Sequence, residues 1–285
     1  MSAQILDGKK LAATIRQSLK QKLAEQLQYA KRPPALVVIL VGGHAASEIY
    51  VSHKIKACTE VGIASQCLRF PDTVAEADLL ATLYTLNQDS SIDGILVQLP
   101  LPAHIDNEKI LLALDPLKDV DGFHPENIGL LAVRAPRLSP ATPRGIMQLL
   151  EHFVGDVKGL HAVIVGASNI VGRPTALELL NRRCTVTICH SQTRDLMSLT
   201  RQADVLIAAA GVHGLITAAH IQQNAIVVDV GIHRLESGQV VGDVLFDAVA
   251  AKASWITPVP GGVGPMTIVG LLQNTIEAYQ LNLGK

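Results

Sequence analysis

Apolar residues recur along this chain in two rhythms. Leu11, Ile15, Leu19, Leu23 and Leu27 fall every fourth residue, which predicts a helix with Asp7 as its N-cap. The next apolar block, residues 35–41 (ALVVILV), is unbroken and predicts a buried strand. A helix over 45–61, a strand near 64–70, a helix near 74–88 and a buried strand over 94–99 (GILVQL) follow. A second series begins after residue 160. It has strands at 161–165, 185–189, 204–210 and 226–230, helices at 170–181 and 193–202, a short strand at 255–257 and a last helix over 266–282. Unbroken apolar strands alternating with helices predict an α/β fold built on mostly parallel sheets covered on both faces.

Between the two series the pattern changes. Residues 115–145 hold Pro116, Pro125, Pro136, Pro140 and Pro143 with little periodicity, and read as a connector between two domains, 1–140 and 141–265. Thr142 as N-cap and Pro143 at the first helical position restart a helix there.

Composition narrows the class. The chain has 285 residues, 48% of them hydrophobic and only 17% charged, which excludes a disordered chain. Its mean hydropathy of +0.31 raises the question of a membrane. The longest clean apolar runs, such as 35–41 and 205–210, fall far short of the roughly 18–20 residues a spanning helix needs. With 24 basic and 25 acidic residues the net charge is −1, so no broad basic field exists to draw in nucleic acid or an anionic membrane. Cys58, Cys67, Cys184 and Cys189 show no metal-ligand spacing and read as buried small hydrophobes. With no visible export signal, a cytoplasmic location is expected.

The segment HAVIVGASNIVGRP (161–174) carries the strongest chemical signal. A buried strand runs into Gly166-Ala167-Ser168, with a helix opening near Ile170. Small residues let the backbone approach a pyrophosphate, and a helix N-terminus offers free N–H groups and the positive end of its dipole. The spacing is G-x-S-x-x-x-G rather than G-x-G-x-x-G, so an ordinary strand–turn–helix is the competing reading. The second strand ends in Cys189-His190-Ser191-Gln192-Thr193-Arg194, with no acid for a ribose 2′-hydroxyl until Asp195. That favours NADP over NAD, with Arg173 and Ser191 on the 2′-phosphate.

Ser47, Tyr50 and Lys54 share one face of the 45–61 helix. Gln98 interrupts an apolar run near the carboxyl end of a parallel strand, where a buried amide needs partners and where α/β sheets place ligands. Asp119 and Asp121 lie in a turn-like segment, Lys118–Gly122. Taken singly, Lys54 is more readily a solvated lysine, Tyr50 a half-buried amphipathic residue and the two acids solvated or capping groups.

Together they resemble a known family. The carriers are Val41-Gly42 with Ala46-Ser47 and Tyr50…Lys54; residues 93–102 (DGILVQLPLP); Lys118–Gly122; Gly166–Pro174; and residues 257–267 (TPVPGGVGPMT). Over essentially its whole length the chain resembles the bifunctional methylenetetrahydrofolate dehydrogenase/methenyltetrahydrofolate cyclohydrolases. The resemblance implies an N-terminal folate-binding catalytic domain, with helix 266–285 packing back on it, facing a Rossmann-type NADP domain across a cleft. It implies oxidation of 5,10-methylenetetrahydrofolate by NADP⁺ and hydrolysis of the methenyl product to 10-formyltetrahydrofolate. Lys54, with a lowered pKa, is implied as the proton-transfer group and Gln98 as its positioner. Tyr50 would stack on the folate ring and Asp121 would accept from the pterin N–H groups. Ser47 would line the cleft, and Pro260, Gly261 and Gly262 would border it. Gly166, Ala167, Ser168, Arg173, Ser191 and Ile232 are implied for NADP, no metal is implied, and a homodimer is. Ala141 stands where the family often has Cys, Ala45 where Pro is common and His233 where Asn is usual. Two rivals are a monofunctional dehydrogenase of shikimate type and a non-catalytic dinucleotide sensor. The first gives no reason to carry Tyr50, Lys54, Gln98 and Asp121 together, and an intact lysine with a complete Gly/Pro loop argues against the second.

Overall fold

In chain order, the elements are β1 (Gln4–Ile5), α1 (Gly8–Leu27), β2 (Ala35–Val41), α2 (Ala45–Val61), β3 (Ala64–Phe70), α3 (Glu76–Gln88), β4 (Gly94–Val97), α4 (Asn107–Leu112), α5 (Pro125–Ala132) and α6 (Ala141–Phe153). Then follow β5 (His161–Val165), α7 (Gly172–Asn181), β6 (Thr185–Cys189), α8 (Leu196–Thr200), β7 (Val205–Ala208), β8 (Ile226–Asp229), β9 (His233–Arg234), β10 (Val240–Val241), α9 (Phe246–Ala250), β11 (Trp255–Ile256) and α10 (Val263–Leu283). These come from a computed structural model that describes residues 2–30 and 32–283, so the last two residues of the expected 266–285 helix lie outside it.

The chain forms two compact units, one of residues 14–141 with 268–285 and the other of residues 1–13 with 142–267. A single cut at 140 places residues 1–13 with the chain that follows them. They group instead with the later unit, because Gln4 and Ile5 pair in parallel with Trp255 and Ile256. Two residues alone hold no periodicity, so β1 has no sequence signal.

In the 14–141/268–285 unit the sheet runs β3-β2-β4, parallel throughout. Its central strand explains the unbroken apolar run. Leu36, Val38 and Leu40 join a core with Leu23, Val51, Cys58 and Leu272, while Val37, Ile39 and Val41 join another with Leu79, Leu83 and Ile110. Truncating any of these buried leucines to Ala removes about 2–5 kcal/mol. β4 stops at Val97, two residues before its expected end, although Gln98 N–H still donates to Ile39 O at 2.9 Å. Pro100 has no N–H to extend the ladder. The expected featureless connector carries a helix, α5, started by Pro125 and capped by His124 Nδ1, which accepts from Glu126 N–H.

In the other unit six strands run β1-β11-β8-β7-β5-β6, with parallel pairing throughout. The chain leaves β5 through α7 to β6 on one side, then returns to β7 on the other. The order therefore reverses between β5 and β7, where parallel α/β sheets open a ligand crevice at their carboxyl ends. The core on this sheet joins Val163, Val165, Leu206 and Val227 to Ala203, Ile216 and Val249. β9 and β10 form a separate antiparallel ribbon. α6 begins at Ala141, so Thr142 is not its N-cap; its hydroxyl meets that of Thr267 at 2.9 Å.

Candidate active site

The lysine face of α2 is buried. Ser47 is 4% and Lys54 7% exposed, and Tyr50 is half-buried. Lys54 Nζ donates to Gln98 Oε1 at 3.1 Å. The other end of that amide, Nε2, donates to Leu99 O at 2.7 Å, so the carbonyl end faces the lysine. The two residues are 44 positions apart and are joined by β4 ending beside β2, which leads into α2. Burial pushes the Tyr50 phenol up, which keeps it neutral and apolar in character. Cys58, one turn beyond Lys54, is a buried thiol pushed up to about 12 by desolvation and is chemically inert.

The segment 118–122 divides its charges. Lys118 is 5% exposed and donates to Leu86 O, Asn87 O and Asp89 O at 2.7–2.9 Å, closing the carboxyl end of α3. Asp119, 1% exposed, accepts from Gly122 N–H, His124 N–H and Asn127 Nδ2. Desolvation outweighs those bonds and lifts its carboxyl to about 6. Asp119 thus braces the turn that carries Asp121. Asp121 is half-buried, and burial raises its pKa while the Lys54 charge pulls it back. Its carboxylate makes no hydrogen bond among the described residues, which leaves both oxygens available to a ligand. The structure therefore gathers Lys54, Gln98 and Asp121 in one unit.

The dinucleotide turn lies at the reversal point of the other sheet. Gly166 has φ +124°, and a Cβ there would stand 2.0 Å from Ala209 O. A Cβ on Gly172 would stand 1.9 Å from Gly166 O, so these two glycines let the first turn of α7 pack on the end of β5. The helix opens at Gly172, later than expected, because Ser168 Oγ accepts from Val171 N–H at 3.1 Å and Gly172 N–H at 3.3 Å. Those two donors are therefore not free for a phosphate; Ser168 itself caps them. Arg173 Nε donates to Ala167 O at 3.0 Å, holding its exposed guanidinium over the turn. After β6, Thr193 Oγ1 accepts from His190 N–H, which orders a turn with Ser191 exposed on it and no acid before Asp195. These residues fit a dinucleotide with a 2′-phosphate.

Comparison with known proteins decides the family. The model of the tetrahydrofolate dehydrogenase/cyclohydrolase catalytic domain matches residues 6–121, and that of the NAD(P)-binding domain matches residues 140–283. The chain belongs to the tetrahydrofolate dehydrogenase/cyclohydrolase family. Among solved structures, the bifunctional methylenetetrahydrofolate dehydrogenase/cyclohydrolase of Campylobacter jejuni is 50% identical, with 98% of this chain and 99% of that one covered and a TM-score of 0.94. A methylenetetrahydrofolate dehydrogenase of the silkworm Bombyx mori is 41% identical over 99% and 100%, with a TM-score of 0.94. The dehydrogenase-cyclohydrolase of Trypanosoma brucei, solved with NADP cofactor and an inhibitor, is 35% identical over 100% of both chains, with a TM-score of 0.96.

Several features of this tetrahydrofolate dehydrogenase/cyclohydrolase go beyond what its sequence pattern indicates. Pro260, Gly261 and Gly262 lie in the loop before α10, and Lys9 N–H donates to Gly261 O at 2.8 Å, so part of that loop's rigidity serves its docking on α1. Ile232, three residues past the end of β8, is 48% exposed. Around it sits a polar network with little trace in the sequence. Asp229, 3% exposed, accepts from Gly231, Asp243 and Val244 N–H, and burial lifts it to about 6. Asp243, fully buried, accepts from Ala210 and Gly211 N–H and from His233 Nε2. The available signal is an acid closing an apolar strand, IVVD. Ala141, the family's frequent Cys position, is 1% exposed, and a Cβ on Gly270 of α10 would stand 2.4 Å from its carbonyl oxygen.

Proposed function

We propose that this chain oxidises 5,10-methylenetetrahydrofolate with NADP⁺ and hydrolyses the resulting methenyl cation to 10-formyltetrahydrofolate. The observation that carries the reading is the buried Lys54–Gln98 pair beside the free carboxylate of Asp121, in a chain of this family. The folate is assigned to the 14–141/268–283 unit and the dinucleotide to the unit holding Gly166. NADP⁺, when bound, takes the hydride from the methylene carbon.

The oxidation asks for positioning more than for acid–base help, because a folate nitrogen lone pair drives hydride departure. Asp121 accepts from the pterin N–H groups, Tyr50 covers a ring face, and Ser47 offers a hydroxyl with no hydrogen bond of its own among the described residues. Hydrolysis needs proton transfers. Lys54 takes a proton from water as it adds to the methenyl carbon, then supplies one to the pterin nitrogen as its bond to that carbon breaks; the net proton leaves to solvent. Gln98, anchored on Leu99 O, keeps the amine aimed.

Arg173 and Ser191 take the 2′-phosphate, and Ala167 with Ser168 and Ile232 line the rest of the dinucleotide site. The same reading extends to a homodimer in the cytoplasm, where the four free cysteines suit a reducing compartment. No helix among the described residues is long and apolar enough to cross a membrane. The test is a spectrophotometric assay of purified protein that follows NADPH and methenyltetrahydrofolate together, with NADP⁺ and NAD⁺ in parallel. NADPH formation with turnover of added methenyltetrahydrofolate is expected. Failure of either activity, or a preference for NAD⁺, would contradict the reading.

A further inference from the structure

Two carboxylates are buried at the carboxyl edge of the six-stranded sheet, where an anionic dinucleotide would approach. Asp229 closes β8, and Asp243 follows β10; their side chains are 3% and 0% exposed. Each is woven into backbone N–H groups, and among the described residues neither pairs with Lys or Arg. Asp243 Oδ2 accepts from Ala210 at 2.7 Å and Gly211 at 2.9 Å, the turn that follows β7. Ala209 in that turn is the residue against which Gly166 packs. Asp243 therefore holds, by hydrogen bonds, the 209–211 turn against which Gly166 of the dinucleotide turn packs.

The one cationisable side chain bonded to this pair among the described residues is His233. Its Nε2 donates to Asp243 Oδ1 at 2.7 Å, and its side chain keeps 22% of its surface exposed to solvent. Three ionisable groups surround the imidazole. Asp243 faces it directly, Asp229 stands behind Asp243, and the His213 ring lies 5.9 Å away, with its own Nδ1 donating to Gly242 O. Neutral and protonated His233 both donate to Asp243, so the bond persists when the proton on the other nitrogen is lost. What changes is the charge. With a neutral imidazole, the two carboxylates face the anion-binding edge uncompensated; with an imidazolium, one is offset.

We propose that His233 is a positioning residue for the dinucleotide: it anchors Asp243 beneath the 209–211 turn, and its positive form offsets the buried acid pair that otherwise repels the cofactor's phosphates. The inference rests on the NADP reading above. It makes dinucleotide affinity depend on pH through a residue that need not touch the cofactor.

The experiment titrates full-length protein with NADPH, by its fluorescence, between about pH 6 and about pH 8.5, a range in which histidine changes charge. Wild type is compared with His233→Gln, whose amide keeps a donor for Asp243 without the charge, and with His233→Asn as a second, shorter donor. The 2′-phosphate of NADPH and the carboxyl of Asp229, lifted by burial to about 6, also titrate near the acid end, but in wild type and variant alike, so the ratio of dissociation constants isolates the histidine. Wild type is expected to bind about fivefold more tightly than His233→Gln at the acid end, with the two converging at the alkaline end. The advantage should shrink with added salt if it acts through charge. Parallel profiles, including a uniform weakening of the variant at every pH, would overturn the inference and leave the NADP reading intact. No NADPH binding by wild type at any pH would overturn both.

Discussion

The two units handle their proposed ligands by different physical means. In the 14–141/268–283 unit the chemistry rests on side chains taken out of water: Ser47 and Lys54 are buried, Gln98 is tied at both ends, and Asp121 is half-buried with an open carboxylate. In the other unit the groups proposed for recognition, Arg173, Ser191 and Ile232, are exposed, and the shape comes from the backbone of the Gly166–Gly172 turn. Proton transfer needs an oriented, desolvated group, while holding a pyrophosphate needs close backbone approach and a few exposed cations. The units share one device. Asp119 in the first and Asp229 in the second each accept from three N–H groups and brace a loop at a sheet edge, and each is lifted by burial to about 6.

The contrast can be broken most severely at the backbone. Gly166→Ala places a methyl 2.0 Å from Ala209 O in a left-handed conformation. It is expected to remove about 4 kcal/mol of stability and NADPH binding with it, read by thermal melts and ligand titration. Normal stability with normal NADPH affinity would show that the turn tolerates a side chain.

The shared brace predicts an unusual pH response. Asp119 and Asp229 rise from 3.8 to about 6 on folding, so the native state holds their protons more tightly than the unfolded chain. Their contribution to stability is greatest at low pH and is lost as pH rises through the window from about 4 to 6, by at most about 3 kcal/mol each. Denaturant unfolding should therefore show stability increasing as pH is lowered from 7 toward 5. A steady decline over that range would mean both carboxylates are ordinary.

Smaller effects separate the ligands. Asp121→Ala is expected to raise the folate KM about thirtyfold, the loss of a charged hydrogen bond, with NADPH affinity preserved. Loss of both would make Asp121 structural. Arg173→Ala should lower kcat/KM for NADP⁺ about tenfold and leave NAD⁺ unaffected. An equal drop with both cofactors would move the 2′-phosphate elsewhere.

Much of the fold is legible in the amino-acid sequence. Unbroken apolar runs locate β2, β4, β5, β7 and β8, because strands buried on both faces leave no polar alternation to confuse with a helix. Gln98 stands out as a polar group in an apolar run and Lys54 only in the company of Tyr50 and Gln98, but the 3.1 Å between them depends on strand order. Asp119 and Asp121 are not separable by pattern, since two acids two residues apart look alike; the bridge pairing Ile95 with Asp119 decides which one turns into the backbone. α5 is hidden by prolines and glycines that usually signal loops. The capping role of Ser168 is concealed because a small residue in a phosphate turn suggests backbone approach rather than a hydroxyl filling the helix end. Asp229 and Asp243 do not declare themselves as a pair, since 14 residues and a two-stranded ribbon separate them.

In the proposed mechanism Lys54, held by Gln98, performs the hydrolytic proton transfers and takes no part in dinucleotide recognition. Lys54→Met tests it most directly, with methenyltetrahydrofolate hydrolysis and NADPH binding measured on the same preparation. Hydrolysis is expected to fall about a thousandfold while NADPH affinity stays within about twofold of wild type. Hydrolysis at the wild-type rate would remove Lys54 from the chemistry and contradict the account.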